Sequence, residues 1–393
     1  MTWRFIGAVL LIIGTSIGAG ILALPAATAQ AGIDYSISVL FISWLIMTLG
    51  ALFLLEANLK MPLGSNLVTM AKQTLGPLGQ AIVWFIYLFL LYALLSAYLA
   101  GGTDVVYDLG QLIHLHIPHW LATVVFLIIL GYVVLRGIRT VDSVNKLLMI
   151  VKVGSFLLLA LLLLPHIDIA RYHHGNWPKA LSAFMVTITS FGFAIIIPSL
   201  RVYLQDDVKL LRNAVITGSL IALSGYILWL VVVQGDLPFA GDWGLQHIHR
   251  ANHTVSSLTQ ALLHITHTPA IALLIHLFTS VCMLTAFLGV ALSLFDFLRD
   301  GLQLSNRPKH LIINTLLTFL PPLILTLFLT SLFITALSYA GTLCLLLLAL
   351  LPNVMAWRLR NKQNAQFQVP GGKIVLIAHA ILSIAVVIIG FIS

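Results

Sequence analysis

Two segments rich in glycine and hydroxyl residues interrupt the apolar runs of this sequence, at 14–20 and 187–193. The first reads Gly-Thr-Ser-Ile-Gly-Ala-Gly and precedes Pro25, and the second reads Thr-Ile-Thr-Ser-Phe-Gly-Phe and precedes Pro198. Glycine weakens a helix by about 1 kcal/mol relative to alanine, and proline removes a backbone donor. Both segments are therefore predicted to break helices. The freed N–H groups suit a carboxylate and the freed C=O groups suit an ammonium group, so together they suit a zwitterionic amino acid.

Lys152 lies near the middle of an apolar stretch, about ten residues from its basic end. An ionisable residue at this depth in a membrane is a functional candidate because burying its charge is costly. Desolvation disfavours the charged form of an amine, so Lys152 is predicted to gain and lose a proton. The alternative is that the side chain snorkels to the interface, but roughly 15 Å is far for one lysine.

Membrane-spanning helices are the elements that must position these groups. The chain has 393 residues, of which 60% are hydrophobic and 8% are charged, and its mean hydropathy is +1.06. Soluble domains carry about 25% charged residues, so a soluble enzyme and a disordered chain are excluded. Unbroken apolar runs such as 156–164 lack the alternation of an outer-membrane barrel. The sequence predicts an all-α polytopic membrane protein.

Eleven transmembrane helices are predicted, within a single transmembrane domain that covers residues 1–393. The predicted spans are 5–30, 34–57, 80–104, 119–137, 142–165, 179–203, 210–234, 270–298, 309–330, 332–353 and 372–392. The first and sixth spans carry the interruptions, as expected for two inverted five-helix repeats, approximately 5–165 and 179–353, with one extra helix. Such paired breaks indicate a transporter site, although Gly14 and Gly18 alone would also suit helix packing.

The basic residues orient the predicted helices. With a cytoplasmic N-terminus, 16 of the 20 Lys and Arg residues fall on the cytoplasmic side and only Arg171, Lys179 and Arg250 fall outside. Cytoplasmic loops carry an excess of Lys and Arg, so the N-terminus is predicted in the cytoplasm and the C-terminus in the periplasm. The net charge of +8 is then a topology signal, and nucleic-acid binding has no support.

The remaining polar residues suggest no second chemistry. Glu56 and Asp104 lie near span ends, where anchoring or a salt bridge is the favoured interpretation. His247 and His249 have a spacing that metal ions use, but no Cys or carboxylate set accompanies them, so no metal and no cofactor is predicted. Both cysteines lie in apolar runs, which excludes a disulfide framework. No Ser-His-Asp set, phosphate loop or HExxH motif occurs, so no catalysis is expected.

Several motifs resemble the hydroxy/aromatic amino acid permease family of the APC superfamily. They cover 14–25 (GTSIGAGILALP), 190–193 (SFGF) with 197–200 (IPSL), 286–297 (AFLGVALSLFDF), 338–341 (SYAG) and 369–373 (VPGGK). The resemblance runs almost end to end and is strongest to the tyrosine-specific permeases, with the tryptophan permeases next. It implies a leucine-transporter-like (LeuT) fold and proton-driven uptake of an aromatic amino acid across the bacterial inner membrane. It also places Lys152 where this family has a lysine.

One position departs from the family pattern. The tyrosine permeases have a histidine after the Phe-Gly-Phe element, whereas Ala194 stands here and is followed by two isoleucines. If that histidine contacts substrate or protons, ring recognition or coupling differs in this chain. Tyrosine is favoured as the substrate and tryptophan is next, and the effect of Ala194 is left open.

We therefore predict a symporter that couples protons to the entry of an aromatic amino acid by alternating access, with the lipid bilayer as its environment and its oligomeric state left open. The predicted substrate contacts are Thr15, Ser16, Ile17, Gly18, Ala19, Gly20, Tyr92, Ser190, Phe191, Gly192 and Phe193. Tyr98 is expected to join Tyr92 and the two phenylalanines around the substrate ring. Lys152 is predicted to carry the proton, with support from Thr279, Ser280 and Thr285.

Three rival functions would each require sequence features different from those of an aromatic amino acid symporter. A serine or threonine permease would need a smaller and more polar pocket. A passive channel would need a continuous polar lining, and no predicted span has one. A membrane-embedded enzyme would need acids or histidines clustered at bilayer depth, whereas most histidines are predicted in the outer loops.

Overall fold

The computed structural model describes residues 2–266, 268–305, 307–329, 331–360 and 367–392. Within those ranges the chain is helical without a β-strand, and one isolated antiparallel bridge joins Gly32 to His174. This confirms the predicted all-α polytopic class. Lys362, one of the basic residues assigned to the cytoplasmic side, and Thr330, the last residue of the ninth predicted span, lie outside the described residues.

Seventeen α-helices follow one another along the described chain. They are α1 Thr2–Ser16, α2 Gly20–Thr28, α3 Ile33–Asn58, α4 Leu67–Leu112, α5 His119–Leu135, α6 Ile138–Leu163, α7 Trp177–Leu181, α8 Phe184–Ser190, α9 Ile197–Tyr203, α10 Val208–Asp236, α11 Leu245–Arg250, α12 Thr254–Thr266, α13 Pro269–Gly301, α14 Pro308–Phe328, α15 Leu332–Cys344, α16 Leu351–Arg360 and α17 Gly372–Ile392. Short 3₁₀ turns occur at Ala29–Ala31, Leu164–His166, Ile169–Arg171 and Gly192–Ile196, and a π-helical segment at Leu345–Leu350 joins α15 to α16.

Both predicted interruptions are present as breaks in the helices. The helical stretches Trp3–Ser16 and Gly20–Ala31 meet at an angle of 50° across three residues. In the sixth predicted span, α8 ends at Ser190 and α9 begins at Ile197, with the 3₁₀ turn between them. The glycines and prolines identified in the sequence therefore interrupt regular hydrogen bonding where they were expected to do so.

Nine helices of the described chain are long and apolar enough to cross a membrane, or ten if the bent first pair is one span. The fourth predicted span, 119–137, corresponds to α5, which is apolar but has only 17 residues. At 1.5 Å per residue it is about 26 Å long, close to the hydrocarbon thickness of about 30 Å. The exact count of eleven spans stays a prediction.

The long segment between the seventh and eighth predicted spans is structured rather than a simple loop. It contains α11 and the amphipathic helix α12, which packs against α4, α13 and α2. The broken elements lie together in the bundle, since α1 packs against α10 and α2 packs against α8. Helix α6, which carries Lys152, packs against α13. This arrangement brings both breaks and the buried lysine into one region.

A buried ion pair connects α3 to α16. Glu56 and Arg360 form two hydrogen bonds of 2.7 Å each, and the two side chains are almost fully buried. The same carboxylate accepts a hydrogen bond from Val369 N at 3.0 Å. The salt bridge expected for Glu56 is therefore confirmed, and it fixes the segment before α17 against the bundle.

Candidate substrate site

The break between α1 and α2 releases a backbone carbonyl group. In a continuous helix Gly14 O would accept from Gly18 N, but Gly18 N turns back to Ser16 O at 2.8 Å. Gly14 O instead accepts a hydrogen bond from Lys152 Nζ at 3.3 Å. The break therefore supplies an acceptor to the buried lysine, which a regular helix would not.

Lys152 is held between the first break and α13. Its side chain is almost completely buried, and its second partner is Thr285 Oγ1 at 3.3 Å. The Thr285 hydroxyl donates its own proton to backbone carbonyls one turn earlier in α13, so its oxygen acts as an acceptor toward the lysine. Two oxygen acceptors from two different helices thus surround the one amine.

The two breaks contact each other because Gly20 has no side chain. A Cβ atom placed on Gly20 would lie 2.7 Å from Ser190 Oγ and 3.4 Å from Ser190 Cα. The start of α2 can therefore lie directly against the end of α8 only with glycine at this position.

Tyr226 on α10 lies between the two broken helices. Its hydroxyl is within hydrogen-bond distance of Ser16 O at the end of α1 and of Ser190 O at the end of α8, the latter at 2.9 Å. A hydroxyl has one proton, so Tyr226 donates to one of these carbonyls at a time. The side chain is fully buried and its ring meets Phe191 edge-on at 5.3 Å between centroids. The sequence analysis did not identify Tyr226. The only sequence feature that could have pointed to this residue is the presence of a tyrosine within an apolar run.

A cavity of about 290 Å³ lies at the junction of the breaks. Nine of the residues predicted to contact substrate or to take part in coupling line it: Thr15, Ser16, Gly18, Gly20, Tyr98, Lys152, Ser190, Gly192 and Thr285. An apolar wall is added by Leu90, Leu91, Leu94, Tyr98, Ile195 and Ile196. The cavity thus combines glycine and hydroxyl residues of both breaks and the buried lysine with aliphatic and aromatic side chains.

Other predicted residues do not line this cavity. Ile17, Ala19, Phe191 and Phe193 are buried in the packing around the breaks. Tyr92 lies elsewhere, because its hydroxyl donates to Leu317 O at 2.7 Å and its ring borders a separate apolar groove beside α14 and α15. The structure therefore does not bring Tyr92 to the site, and Tyr98, one turn and a half further along α4, takes the aromatic position.

Two further predictions concern positions beside the cavity. Thr279 donates to Ile275 O within its own helix, and neither it nor Ser280 lines the cavity, so Thr285 is the member of that group that reaches Lys152. Ala194, which stands where a histidine was expected, is fully buried within the 3₁₀ turn. The neighbouring Ile195 and Ile196 supply the cavity surface there.

The cavity extends from the breaks toward one end of the bundle. Its further lining includes Leu11 on α1, Asn145 on α6 and Ser293 on α13. These residues lie on the side of the breaks that leads to Arg4 on α1, to Arg299 near the end of α13 and to Arg139 at the start of α6. This end is called the basic end below. The cavity therefore approaches the basic end.

Broken helices around a central cavity within an apolar bundle are typical of membrane transporters. A crystal structure of a manganese transporter from Eremococcus coleocola shares this fold, with a TM-score of 0.65 at 16% identity, and the match covers 99% of this chain and 86% of that one. Residues 1–392 match the tryptophan/tyrosine permease family. The chain belongs to this family.

Two of the relatives that match this chain over almost its full length are transport proteins of one organism. Tyrosine-specific transport system 1 of Haemophilus influenzae is 34% identical, over 99% of this chain and 96% of its own. The tryptophan-specific transport protein of the same organism is 32% identical, over 94% of this chain and 91% of its own. The family resemblance read from the motifs is confirmed, as are the predicted class of aromatic amino acid permease and the expectation that the chain is not an enzyme. Proton coupling stays a prediction.

Proposed function

We propose that this permease is a proton-coupled symporter of the bacterial inner membrane that favours tyrosine and accepts tryptophan next. The observation that carries the proposal is the shared cavity, which residues of both breaks line together with aliphatic side chains and Tyr98. The names of the tyrosine- and tryptophan-specific relatives support the substrate class. Leu94, Tyr98 and Ile195 offer an apolar surface suited to a ring, whereas a serine or threonine side chain would leave it unfilled.

The amino acid backbone is proposed to bind between the helix ends. Residues 18–20 lead into α2, whose N-terminus presents N–H groups and the positive end of the helix dipole to a carboxylate. The carbonyl ends of α1 and α8, near Thr15 and Ser190, attract the ammonium group. Both hydroxyl side chains line the same cavity. Each charged group of the zwitterion then meets the complementary end of a helix.

The orientation and the repeat organisation are also proposed. Residues 5–165 and 179–353 form two inverted halves of one transmembrane domain that covers 1–393, with the last helix appended. The N-terminus lies in the cytoplasm and the C-terminus in the periplasm, as the distribution of Lys and Arg favours. With this orientation the cavity approaches the cytoplasm, so the described conformation corresponds to an inward-facing state of alternating access.

A substrate panel in proteoliposomes tests the proposed function. Uptake of labelled tyrosine under an imposed proton gradient is expected to be strongly reduced by excess unlabelled tyrosine or tryptophan. Serine, threonine and glutamine are expected to compete weakly because they leave the apolar wall uncovered. Strong competition by serine or threonine would contradict the proposed preference for tyrosine and would support a serine or threonine permease instead. Uptake that is unchanged by a proton uncoupler would contradict the proposed coupling to protons.

Tyr226→Phe is expected to lower substrate affinity by about tenfold, or about 1.4 kcal/mol. Removing the hydroxyl removes a hydrogen bond to the carbonyl groups of Ser16 and Ser190, worth about 0.5–1.5 kcal/mol, and it loosens the contact between these two helix ends. Equilibrium binding of labelled substrate measures the effect. Tyr172→Phe is the matched control, because its hydroxyl also donates to a backbone carbonyl of α10, Val231 O at 3.0 Å, away from the cavity. Equal affinity in both variants would remove Tyr226 from substrate positioning.

A further inference from the structure

Three side chains with metal-ligating atoms meet at the end of the bundle opposite the basic end. Asp104 near the end of α4, His119 at the start of α5 and His253 just before α12 each offer one ligand atom, and these atoms lie within 4.8 Å of one another. They come from positions up to 149 residues apart in the sequence. The three residues come together only in the fold, and no short sequence motif contains them. The group Asp104, His119 and His253 is called the Asp-His-His cluster below.

Asp104 is held in place by the structure around it. Its carboxylate is almost fully buried, and Oδ2 accepts hydrogen bonds from Val255 N at 3.1 Å and Ser256 N at 3.3 Å. Oδ1 faces His253 Nδ1 at 2.8 Å. Because Oδ2 is occupied at the start of α12, Oδ1 is the oxygen that can bind an ion. Backbone donors that fix a ligating carboxylate in this way are typical of metal sites.

Each of the two histidines offers one ring nitrogen to the cluster. The imidazole rings of His119 and His253 stack at 3.7 Å between centroids, and the side chain of His253 is 43% exposed. His119 Nδ1 is buried, and no hydrogen-bond partner for it occurs in the described part of the chain. A buried nitrogen without a partner is costly. A bound cation would satisfy it.

A cavity of about 220 Å³ opens beside the cluster and contains further oxygen atoms. Its polar lining includes Thr103, Thr123, Asn252 and Ser331. The cavity is separate from the substrate cavity, and it gives water and ions access to the cluster. It also leaves room for the water that completes the coordination of an ion with three protein ligands.

We propose that the Asp-His-His cluster binds one divalent transition-metal ion of the zinc class and thereby fastens α12 to α4 and α5. Two imidazoles with one carboxylate and an open fourth position suit such an ion. Ligand atoms on one zinc ion are about 3.3 Å apart at bond lengths of about 2.0 Å. The separations of the ligand atoms therefore have to shorten by up to about 1.5 Å, with one imidazole rotating out of the ring stack. This site is additional to the proposed transport function.

Zinc binding to the purified, tag-free chain in detergent tests the site, with Zn²⁺ alone as the probe and a chromophoric chelator as competitor. We expect about one ion per chain, and at least a tenfold weaker affinity in His119→Gln and in His253→Gln. Asp104→Asn retains an oxygen for the α12 backbone while removing the charge, and a similar loss is expected. Elution as a single species and unchanged helical content show that a variant is folded.

His247→Gln is the matched control, because His247 is also a histidine outside the predicted spans but does not belong to the cluster. Equal zinc affinity in the wild type, the cluster variants and this control would overturn the proposal and mean adventitious binding only. A second measurement adds Zn²⁺ outside intact cells. Uptake by the wild type is expected to fall and to recover with a chelator, while the His253→Gln variant is insensitive. Because zinc binding is measured without substrate, its outcome is independent of the transport proposal.

Discussion

Lys152→Ala is expected to abolish accumulation of substrate driven by a proton gradient, while substrate binding persists. The amine donates to Gly14 O in the first break and to Thr285 Oγ1 on α13, and hydrogen bonds from a charged donor are worth about 1.5–3 kcal/mol each. Loss of the proton would weaken both contacts, so we expect the protonation state of Lys152 to be coupled to the position of the broken helix relative to α13. Without the amine, this link is absent.

The measurement is uptake into proteoliposomes with and without an imposed pH gradient. In Lys152→Ala we expect the internal concentration of substrate to rise no higher than the external concentration. Exchange of labelled for unlabelled substrate is expected to continue. Lys146→Ala is the matched control on the same helix, because Lys146 is exposed and pairs with Asp142 one turn away at 2.6 Å. Unchanged gradient-driven uptake in Lys152→Ala would exclude this lysine from coupling.

Gly18→Leu and Gly192→Leu are expected to reduce substrate affinity by at least about tenfold, since overfilling a packed space costs about 1–3 kcal/mol. A Cβ atom on Gly18 would lie 3.8 Å from Ala286 Cβ, and one on Gly192 would lie 3.6 Å from Cys344 Sγ. These are ordinary contacts, so the first carbon fits. The remaining carbons of leucine then enter the cavity that the substrate is proposed to occupy.

Two controls separate occlusion of the cavity from damage to the fold. Gly18→Ala adds only the carbon that fits and is expected to bind substrate almost normally. Gly154→Leu places the same side chain on α6 at an exposed glycine with no atom within 4 Å of its Cβ, and it is expected to leave binding unchanged. Retained affinity in both cavity leucine variants, measured by equilibrium binding, would mean that these glycines serve helix packing.

The local features of the site could be read from the sequence because they depend on short-range chemistry. Glycine and proline act on the hydrogen bonds of their own helix, so the breaks after Ser16 and Ser190 were expected where they occur. The cost of placing an amine in an apolar run singled out Lys152 in the same way. The low charge content indicated a membrane protein, because so little charge cannot cover a water-facing surface. The unbroken apolar runs then indicated helices rather than barrel strands.

The tertiary structure alone decided which side chains face the cavity. Tyr92 and Tyr98 are both aromatic residues of α4, but they point in different directions around the helix, and only Tyr98 reaches the site. Tyr226 could not be chosen from the sequence, because its importance comes from two carbonyl groups that lie 36 and 210 residues away along the chain.

The Asp-His-His cluster shows the same limit at the opposite end of the bundle. From the sequence, Asp104 was interpreted as an anchor or salt-bridge residue near the end of a span, and no specific role was predicted for His119 or His253. No metal ligand was predicted among the three residues. The sequence pattern determined where helices form and where they break, because both depend on interactions between residues that are close together in the sequence. Packing of distant helices decided which freed groups share a cavity, since that depends on contacts across the whole fold.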